Sequence, residues 1–471
     1  MSLNAPILIV IVYMIAMLAV GYFTNKYAIK SSTDYMLAGR RMGVLMIATS
    51  LSANNIGGGS TLGVATRAYG AWGLSAAWYV IAASIAMIPL AYFAPKIRQT
   101  MAITIPEVVN RRFGNAAGTL TAILNILALF FLTSSQVLAS GTVVSVLTGI
   151  PLNVSILISG IVIILYTTMG GMIADQISDL VQFFIILFGL AIALPFIING
   201  AGGWQAISDK LPPVQLDFFK IGWITILGLI FNYFCTFLSG PEMVSRFSSA
   251  KDEKTAQMAS VLSAVMMTLM AFIPTIIGLI ALAMNPQLDG GKGTSALMYA
   301  TQTYAPAWVT GVIAAAIVAA TMSSADSNLL CASTMVIRDI YMKYFNPGLE
   351  DHKIIYFTRV SNVLICIVSM VIALFKINIV TLNLFAFALR SAGPFAAYAF
   401  GLTVPKASKH SGLVSIIVGS IAVIYWQIAN STHPVLPIVF GCFMGSVAFF
   451  VTTFLEKDNI APSAFDQTGV K

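Results

Sequence analysis

The chain has 471 residues, 58% of them hydrophobic and 9% charged, with a mean hydropathy of +0.89 and a formal net charge of +8. A soluble domain carries roughly a quarter charged residues, so 25 Lys and Arg with 17 Asp and Glu cannot coat a water-soluble body of this size. The composition excludes a string of soluble domains and predicts an all-α polytopic membrane protein, one membrane domain over residues 1–471.

A bilayer-crossing helix needs about 20 mostly apolar residues. That template predicts thirteen spans, near 5–25, 42–70, 71–95, 117–149, 152–171, 176–200, 221–245, 256–284, 307–337, 354–376, 380–404, 411–430 and 434–455. The first run follows no basic stretch, ends in no small-residue cleavage site and is trailed by Lys26 and Lys30. It reads as a span, not a signal peptide. An odd count puts the termini on opposite sides, and the basic residues choose between the two orientations. With the N-terminus outside, nineteen of the 25 Lys and Arg fall on the inner side, Arg112 and Arg246 among them. Arg67, Lys210, Lys220, Lys292 and Lys376 fall outside, and Arg390 lies within a span. The expectation is N-terminus out and C-terminus in. The same distribution accounts for the positive charge without a nucleic acid partner.

The longest stretches between spans (201–220, 285–306 and 338–353) leave no soluble domain and point to no obligate protein partner; lipid is the surrounding medium. A Walker A run, an H-E-x-x-H, a zinc-spaced Cys/His cluster and a T-V-G-Y-G filter are all absent, as is any nucleophile–base pair within the spans. The chain is therefore expected not to be an enzyme. Cys235, Cys331, Cys366 and Cys442 sit in apolar runs without paired spacing and read as free packing thiols.

Charge inside a membrane is expensive, at least ~2.5–3.5 kcal/mol on insertion scales. Asp179, Asp326 and Arg390 are the three charged residues expected to be deeply embedded. In chain order, the first polar stretch is Ser50-Leu-Ser-Ala-Asn-Asn-Ile-Gly-Gly-Gly-Ser60. Each Gly costs a helix interior about 1 kcal/mol relative to Ala. Either the glycines let another helix approach closely, or the helix is broken and its freed carbonyls bind a cation beside a cavity. Next comes Asp179, near the inner end of its span. It is either a first-turn carboxylate or, if Asp175 does the capping, a group facing something deeper. The ninth span carries Ser323, Ser324, Asp326 and Ser327 within about one turn, and Asp326 shares a face with Ser323. Oxygen-bearing side chains beside a carboxylate suit a hard cation such as sodium, and Asp179 and Asp326 together could share one. Arg390 needs an anion, from a protein carboxylate or from the substrate. Gly393-Pro394 just beyond it predicts a kink.

With these residues in place the chain resembles the sodium:solute symporter family. The resemblance covers nearly the whole length. It rests on Tyr166-Thr-x-x-Gly-Gly-Met-x-Ala174 with Asp179-x-x-Gln182, on Ile105-Pro-Glu with Arg112-Phe-Gly114, on Gly240-Pro-x-x-x-x-Arg246, and on Ser323-Ser324 with Arg338-Asp-Ile-Tyr341. It implies a five-helix inverted-repeat core of the leucine-transporter type, with 5–25 as an extra first helix, 42–200 and 221–404 as the repeats, and 411–455 as two extra helices. It implies a main sodium site from the carbonyls of Ala53, Ile56 and Ala320 and the hydroxyls of Ser323 and Ser324. A second cation site is implied at Asp179, Asp326 and Ser327, where the family usually has serine in place of Asp326. Substrate contacts are implied at Asn55, Gly58, Gly59, Ser60, Gln136 and Arg390. Gly59 and Ser60 replace the acidic and amide groups of the sugar carriers, which makes a sugar less expected.

The resulting expectation is sodium-coupled symport of a small organic solute by alternating access, in the cytoplasmic membrane of a bacterium, with sodium ion as the cofactor. If Arg390 meets a carboxylate, the solute is an organic acid, an amino acid or an acidic sugar. The competing expectation is a proton-coupled carrier or exchanger on the same fold, with Asp326 or Asp179 titrating.

Overall fold

A computed structural model describes residues 5–288, 296–429 and 436–465. Lys292 and Lys471, counted above for orientation, and the edges of the last two expected spans lie outside the described residues. Among the described residues the chain is helical, and the β contacts are two isolated bridges, Met42–Ala250 and Ser408–Ile460. The four cysteines are free and buried.

Nine helices among the described residues are long and apolar enough to cross a membrane, or eleven when each of two bent pairs is one span. One of the nine, Leu152–Gly200, is 49 residues long. As a straight rod it would measure about 74 Å against a hydrocarbon core of about 30 Å. It is not straight. Gly171 has φ +55° and ψ −169°, and the hydroxyls of Tyr166 and Ser178 are hydrogen-bonded. A straight helix would hold residues at that separation about 18 Å apart along its axis, so the chain doubles back at Gly171. Only glycine fits there. The φ is positive, and a Cβ would lie 2.7 Å from Tyr35 Cδ2 and 2.8 Å from the Tyr35 carbonyl oxygen.

Three other spans are interrupted. Val44–Asn55 stops at Ile56 (φ −88°, ψ 64°), and the chain resumes helically as Gly59–Gly63 and Val64–Tyr69. Trp223–Leu238 meets Pro241–Ser249 at 56°, and Ile379–Ser391 meets Pro394–Thr403 at 50°. In both bent pairs a Gly-Pro step starts the second helix, where the missing proline N–H costs nothing. The bend before Pro394 follows the sequence expectation; the one before Pro241 was not expected, although the same dipeptide marks it.

Helix Ala307–Met335 lies at the centre: 83% of its apolar window is buried, against 28% for Ala5–Thr24 and for Pro437–Leu455. It packs on Leu152–Gly200, Asn115–Thr148 and Ala5–Tyr27. The peripheral helices turn Ile15, Phe188, Ile421 and Phe454 outward, as helices facing lipid do. At one end the basic loops tie to one another. Arg40 Nη2 donates to the Met101 carbonyl at 2.7 Å, Arg98 Nε to the Ala250 carbonyl at 2.6 Å, and Arg112 to the carbonyls of Val404, Pro405 and Pro462. Arg112, counted above as a loop charge, is buried and acts as a clamp between loops.

Candidate cation and substrate site

The interruption at Ile56–Gly58 faces the centre of helix Ala307–Met335. Ser323 Oγ donates to the Ala53 carbonyl at 2.9 Å and lies 3.4 Å from the Ala320 carbonyl. Ser324 Oγ donates to the Asn54 carbonyl at 2.7 Å and to Ala320 at 3.1 Å. Two hydroxyls thus meet backbone oxygens of two different helices, all buried. Ile56 is the residue at which the helix ends, its own N–H donating to Ser52. Four of the five residues expected at the main cation site are in direct contact, and Asn54, not foreseen, supplies another carbonyl. The glycines serve close approach here. A Cβ on Gly57 would sit 2.6 Å from Ser324 Oγ and 2.7 Å from Gln136 Oε1. The alternatives the sequence left open, close packing and a broken helix, both occur at this one tract.

Beside it lies a cavity bordered by Asn55, Gly59, Ser60, Gln136, Glu242 and Arg390. Its free space is about 40 Å³, room for waters and not for an organic solute. Arg390 is held by Glu242, its Nη1 lying 2.6 and 2.7 Å from the two carboxylate oxygens. The guanidinium also stacks over Phe387 at 5.2 Å, and its Nε has no partner. Of the two anions considered for Arg390, this structure supplies the protein carboxylate. Asn55 Nδ2 donates to Leu51 at 2.8 Å, and Ser60 Oγ to Asn55 at 2.8 Å. Gly58 is not on the cavity wall. Its N–H donates to Gln136 Oε1 at 2.8 Å, its carbonyl accepts from Gly63 N–H at 2.9 Å, and a Cβ added there would fall 2.4 Å from Ala139 Cβ, so it positions Gln136 and has no free group to offer a solute.

At the expected second cation site, Asp179 and Ser327 both contact an internal cation, Arg246, which is fully buried. Its Nη2 lies 2.9 Å from Asp179 Oδ2, 3.0 Å from Asp175 Oδ2 and 2.5 Å from Ser327 Oγ, and its Nε donates to Ser50 Oγ at 2.6 Å. Ser50 in turn donates to Asp179 at 2.5 Å. Asp179 Oδ1 has no hydrogen-bond partner. Asp326 is outside this set, and its Oδ1 has no hydrogen-bond partner. Asp175, expected as a helix cap, is thereby a member of the buried network. The embedded charges number more than the three expected: Asp175, Glu242 and Arg246 join Asp179, Asp326 and Arg390.

Residues 35–419 match the sodium:solute symporter family. The chain belongs to that family. Symporter relatives include the osmoregulated proline transporter OpuE of Bacillus subtilis (26% identical, over 95% of this chain and 94% of that protein) and the high-affinity proline transporter PutP of the same organism (28%, 95% and 97%). A sodium/proline symporter of Staphylococcus aureus is 27% identical over 98% of this chain and 94% of its own. A Na+-coupled sialic acid symporter in a substrate-bound outward-open state superposes with a TM-score of 0.83 at 20% identity, covering 98% of this chain and 99% of the other. Mhp1, a nucleobase-cation-symport transporter solved in a closed conformation, gives 0.61 at 14%, covering 91% and 96%. The fold of this symporter is thus the inverted-repeat transporter fold of these neighbours. It is a multi-pass membrane protein, a sodium-coupled solute transporter and not an enzyme.

Two buried charged residues at the site were not among the expected site residues, Glu242 and Arg246. Both follow Gly240-Pro241, and with the seventh span ended at 245 the arginine counted as a loop charge. Glu242 already lay within that expected span, and carrying it on to Ser249 would have placed Arg246 inside the membrane as well and marked both as site candidates.

Proposed function

We propose that this symporter carries a small carboxylate-bearing solute into a bacterial cell with sodium, by alternating access, the N-terminus outside and the C-terminus inside. The observation that carries the reading is the meeting of the Ser323 and Ser324 hydroxyls with carbonyls of the interrupted helix. Sodium takes hard oxygen ligands, and unwound carbonyls beside hydroxyls replace its hydration shell. Sodium held by Ala53, Ile56, Ala320, Ser323 and Ser324 ties Val44–Asn55 to Ala307–Met335 and favours the state in which both line the solute cavity. The potential adds about 2.3 kcal/mol per charge per 100 mV to inward movement. Residues 42–200 and 221–404 serve as the two repeats; each opens on an interrupted span, at Ile56 and at Gly240.

The solute class rests on Arg390 and Glu242 at the cavity wall. A carboxylate answers the guanidinium, and the unpartnered Nε is ready to accept it. An ammonium on the same solute would answer Glu242. Proline and sialic acid, named for the relatives and for the structural neighbour, both bear a carboxylate. Because the free space is too small for a solute, entry requires the Arg390–Glu242 pair to part. Contacts from Asn55, Gly59, Ser60 and Gln136 complete the pocket.

The test is uptake into proteoliposomes with imposed gradients. Ser323→Ala and Ser324→Ala should each raise the sodium concentration for half-maximal uptake at least tenfold in a folded protein. Sodium dependence unchanged in both variants would end the assignment.

A further inference from the structure

Helix Ile379–Ser391 separates two cavities. At 3.6 residues per turn, Asn383, Phe387 and Arg390 share one face, and all three border the solute cavity. Leu384, Phe385 and Ala388 lie on the opposite face and border a recess with about 470 Å³ of free space, within the size range of small-molecule pockets. Across the recess stand Val423 and Ile424 of Ser411–Ala429, and Asn232 of Trp223–Leu238. Tyr233, the residue after Asn232, borders the solute cavity, so one helix thickness parts the two spaces on this side as well. Phe385, Ile424 and Ile428 at the edge of the recess are exposed. It therefore opens toward lipid.

The bend that follows Ser391 gives the helix its pivot. A Cβ on Gly419 would run into the Ala392 carbonyl, one on Gly441 would fall 2.8 Å from Ala392 Cβ, and one on Gly393 would fall 2.7 Å from the Ile416 carbonyl oxygen. Ser411–Ala429 and Pro437–Leu455 thus grip the Ala392-Gly393 step, and Ile379–Ser391 turns about that point as a hinged element. On the reading above, on which this inference rests, solute entry parts Arg390 from Glu242. A helix that draws Arg390 away from the solute cavity leans with its opposite face into the recess.

The wall of the recess selects its occupant. Among the described residues no charged side chain borders it. Asn232 is fully buried, and both its Nδ2 and its Oδ1 lack a hydrogen-bond partner. Lipid chains offer none. A bare acyl chain also gains little by exchanging lipid for an apolar recess, because lipid tails are as apolar as Leu. An apolar molecule that carries a hydroxyl brings the one interaction lipid cannot supply, since a hydroxyl both donates and accepts.

We propose that this recess is an inhibitory binding site for a neutral, largely apolar molecule with a hydroxyl-type group, which enters from the bilayer and pairs with Asn232. Its body fills the space into which Ile379–Ser391 leans. It binds the closed conformation in preference to the open one and shifts the equilibrium by that difference. The site shares no residue with the cation position at Ser323 and Ser324 or with the solute cavity.

The test has two arms. In the first, the purified full-length protein in lipid nanodiscs is photolabelled with azioctanol, and adducts are mapped by mass spectrometry. They should fall on Ile379–Ser391 and Ser411–Ala429 and drop at least fivefold with excess n-decanol, in Asn232→Leu, and in Ala388→Phe, which fills the recess. Melting temperatures establish that each variant is folded, and either variant alone decides the arm. In the second, Ser60→Cys at the solute cavity reports opening in right-side-out membrane vesicles through its rate of reaction with a membrane-impermeant maleimide; the four native cysteines are buried. Decanol should slow that reaction at least fivefold and n-decane should not. Ala388→Phe should slow it without any alcohol, and Asn232→Leu should abolish the decanol effect. Adducts spread evenly over the lipid-facing helices, or undiminished in both recess variants, overturn the site, since the recess then holds only bilayer chains. A maleimide rate that decanol leaves unchanged, or that decane lowers equally, overturns the inhibitory role. If the maleimide never reaches Ser60→Cys in alcohol-free vesicles, the reading of solute entry falls, and the photolabelling arm still decides the site.

Discussion

Removal of the Arg246 guanidinium is the sharpest structural test of the buried network. Arg246→Gln strips the positive partner from Asp175 and Asp179, which stand 3.0 and 2.9 Å from it and are 3% and 0% exposed. It also strips the donors to Ser50 and Ser327. Breaking a buried ion pair by removing one partner costs about 3–5 kcal/mol, because the remaining charge is stranded without solvent. Two carboxylates are stranded here, so the upper end of that range is expected, a fall of more than a thousandfold in the folding constant at about 1.4 kcal/mol per tenfold. Asp179→Asn alone should cost clearly less, since Arg246 keeps Asp175. The triple variant Asp175→Asn, Asp179→Asn and Arg246→Gln removes charge from both sides and should recover most of the loss, as neutral replacement of a buried ionic set often does. Unfolding by SDS titration of purified protein, followed by tryptophan fluorescence, reads all three. An Arg246→Gln protein within 1 kcal/mol of the native one, or a triple variant whose cost is the sum of its parts, would refute the reasoning.

Three further outcomes follow from single residues. Gly57→Ala should fold yet raise the half-saturating sodium concentration at least tenfold in proteoliposome uptake, because its Cβ falls 2.6 Å from Ser324 Oγ and 2.7 Å from Gln136 Oε1, and relief requires both side chains to leave their present positions. Gly171→Ala should destabilise the protein by about 1–3 kcal/mol through its positive φ, with the Tyr35 backbone adding to that; thermal melting checks it. Arg390→Lys should raise the half-saturating solute concentration about tenfold or more while leaving the sodium titration near native, since a point charge cannot hold Glu242 and a carboxylate at once; equal shifts in both titrations would contradict that.

Much of the architecture was legible because lipid imposes few choices. Backbone polar groups must be satisfied within each helix, so apolar length alone placed the spans to within a few residues at most ends. The break at Ile56 was legible because three consecutive glycines beside two asparagines suit no helix interior. The convergence of that break with Ser323 and Ser324 was not legible from spacing; it entered through family resemblance, and the geometry now gives it distances. Glu242 was missed although it lay within the expected seventh span, and Arg246 because that span was ended one residue short of it. The contact between Asp179 and Arg246 was not foreseen because that arginine was counted on the inner side. With Arg246 assigned to solvent, the membrane held more carboxylates than cations, and sodium was the remaining candidate for the vacancy.

The arrangement also explains how one helix can couple ion and solute. Ala307–Met335 presents Ser323 and Ser324 to the interrupted helix and, on the next turn, Asp326 and Ser327 to the hairpin at Gly171. The first pair meets the helix whose continuation, Gly59 and Ser60, borders the solute cavity. The second meets the element held by Arg246, and the backbone carbonyl of Glu242, the anion on Arg390, accepts from that same arginine at 2.9 Å. A cation held by Ser323 and Ser324 would therefore act on a helix that borders the solute cavity, Val44–Asn55, without touching the solute. It would shift the equilibrium by its differential affinity for the conformation in which these contacts are made, and by reciprocity a solute that parts Arg390 from Glu242 would change sodium affinity by the same factor.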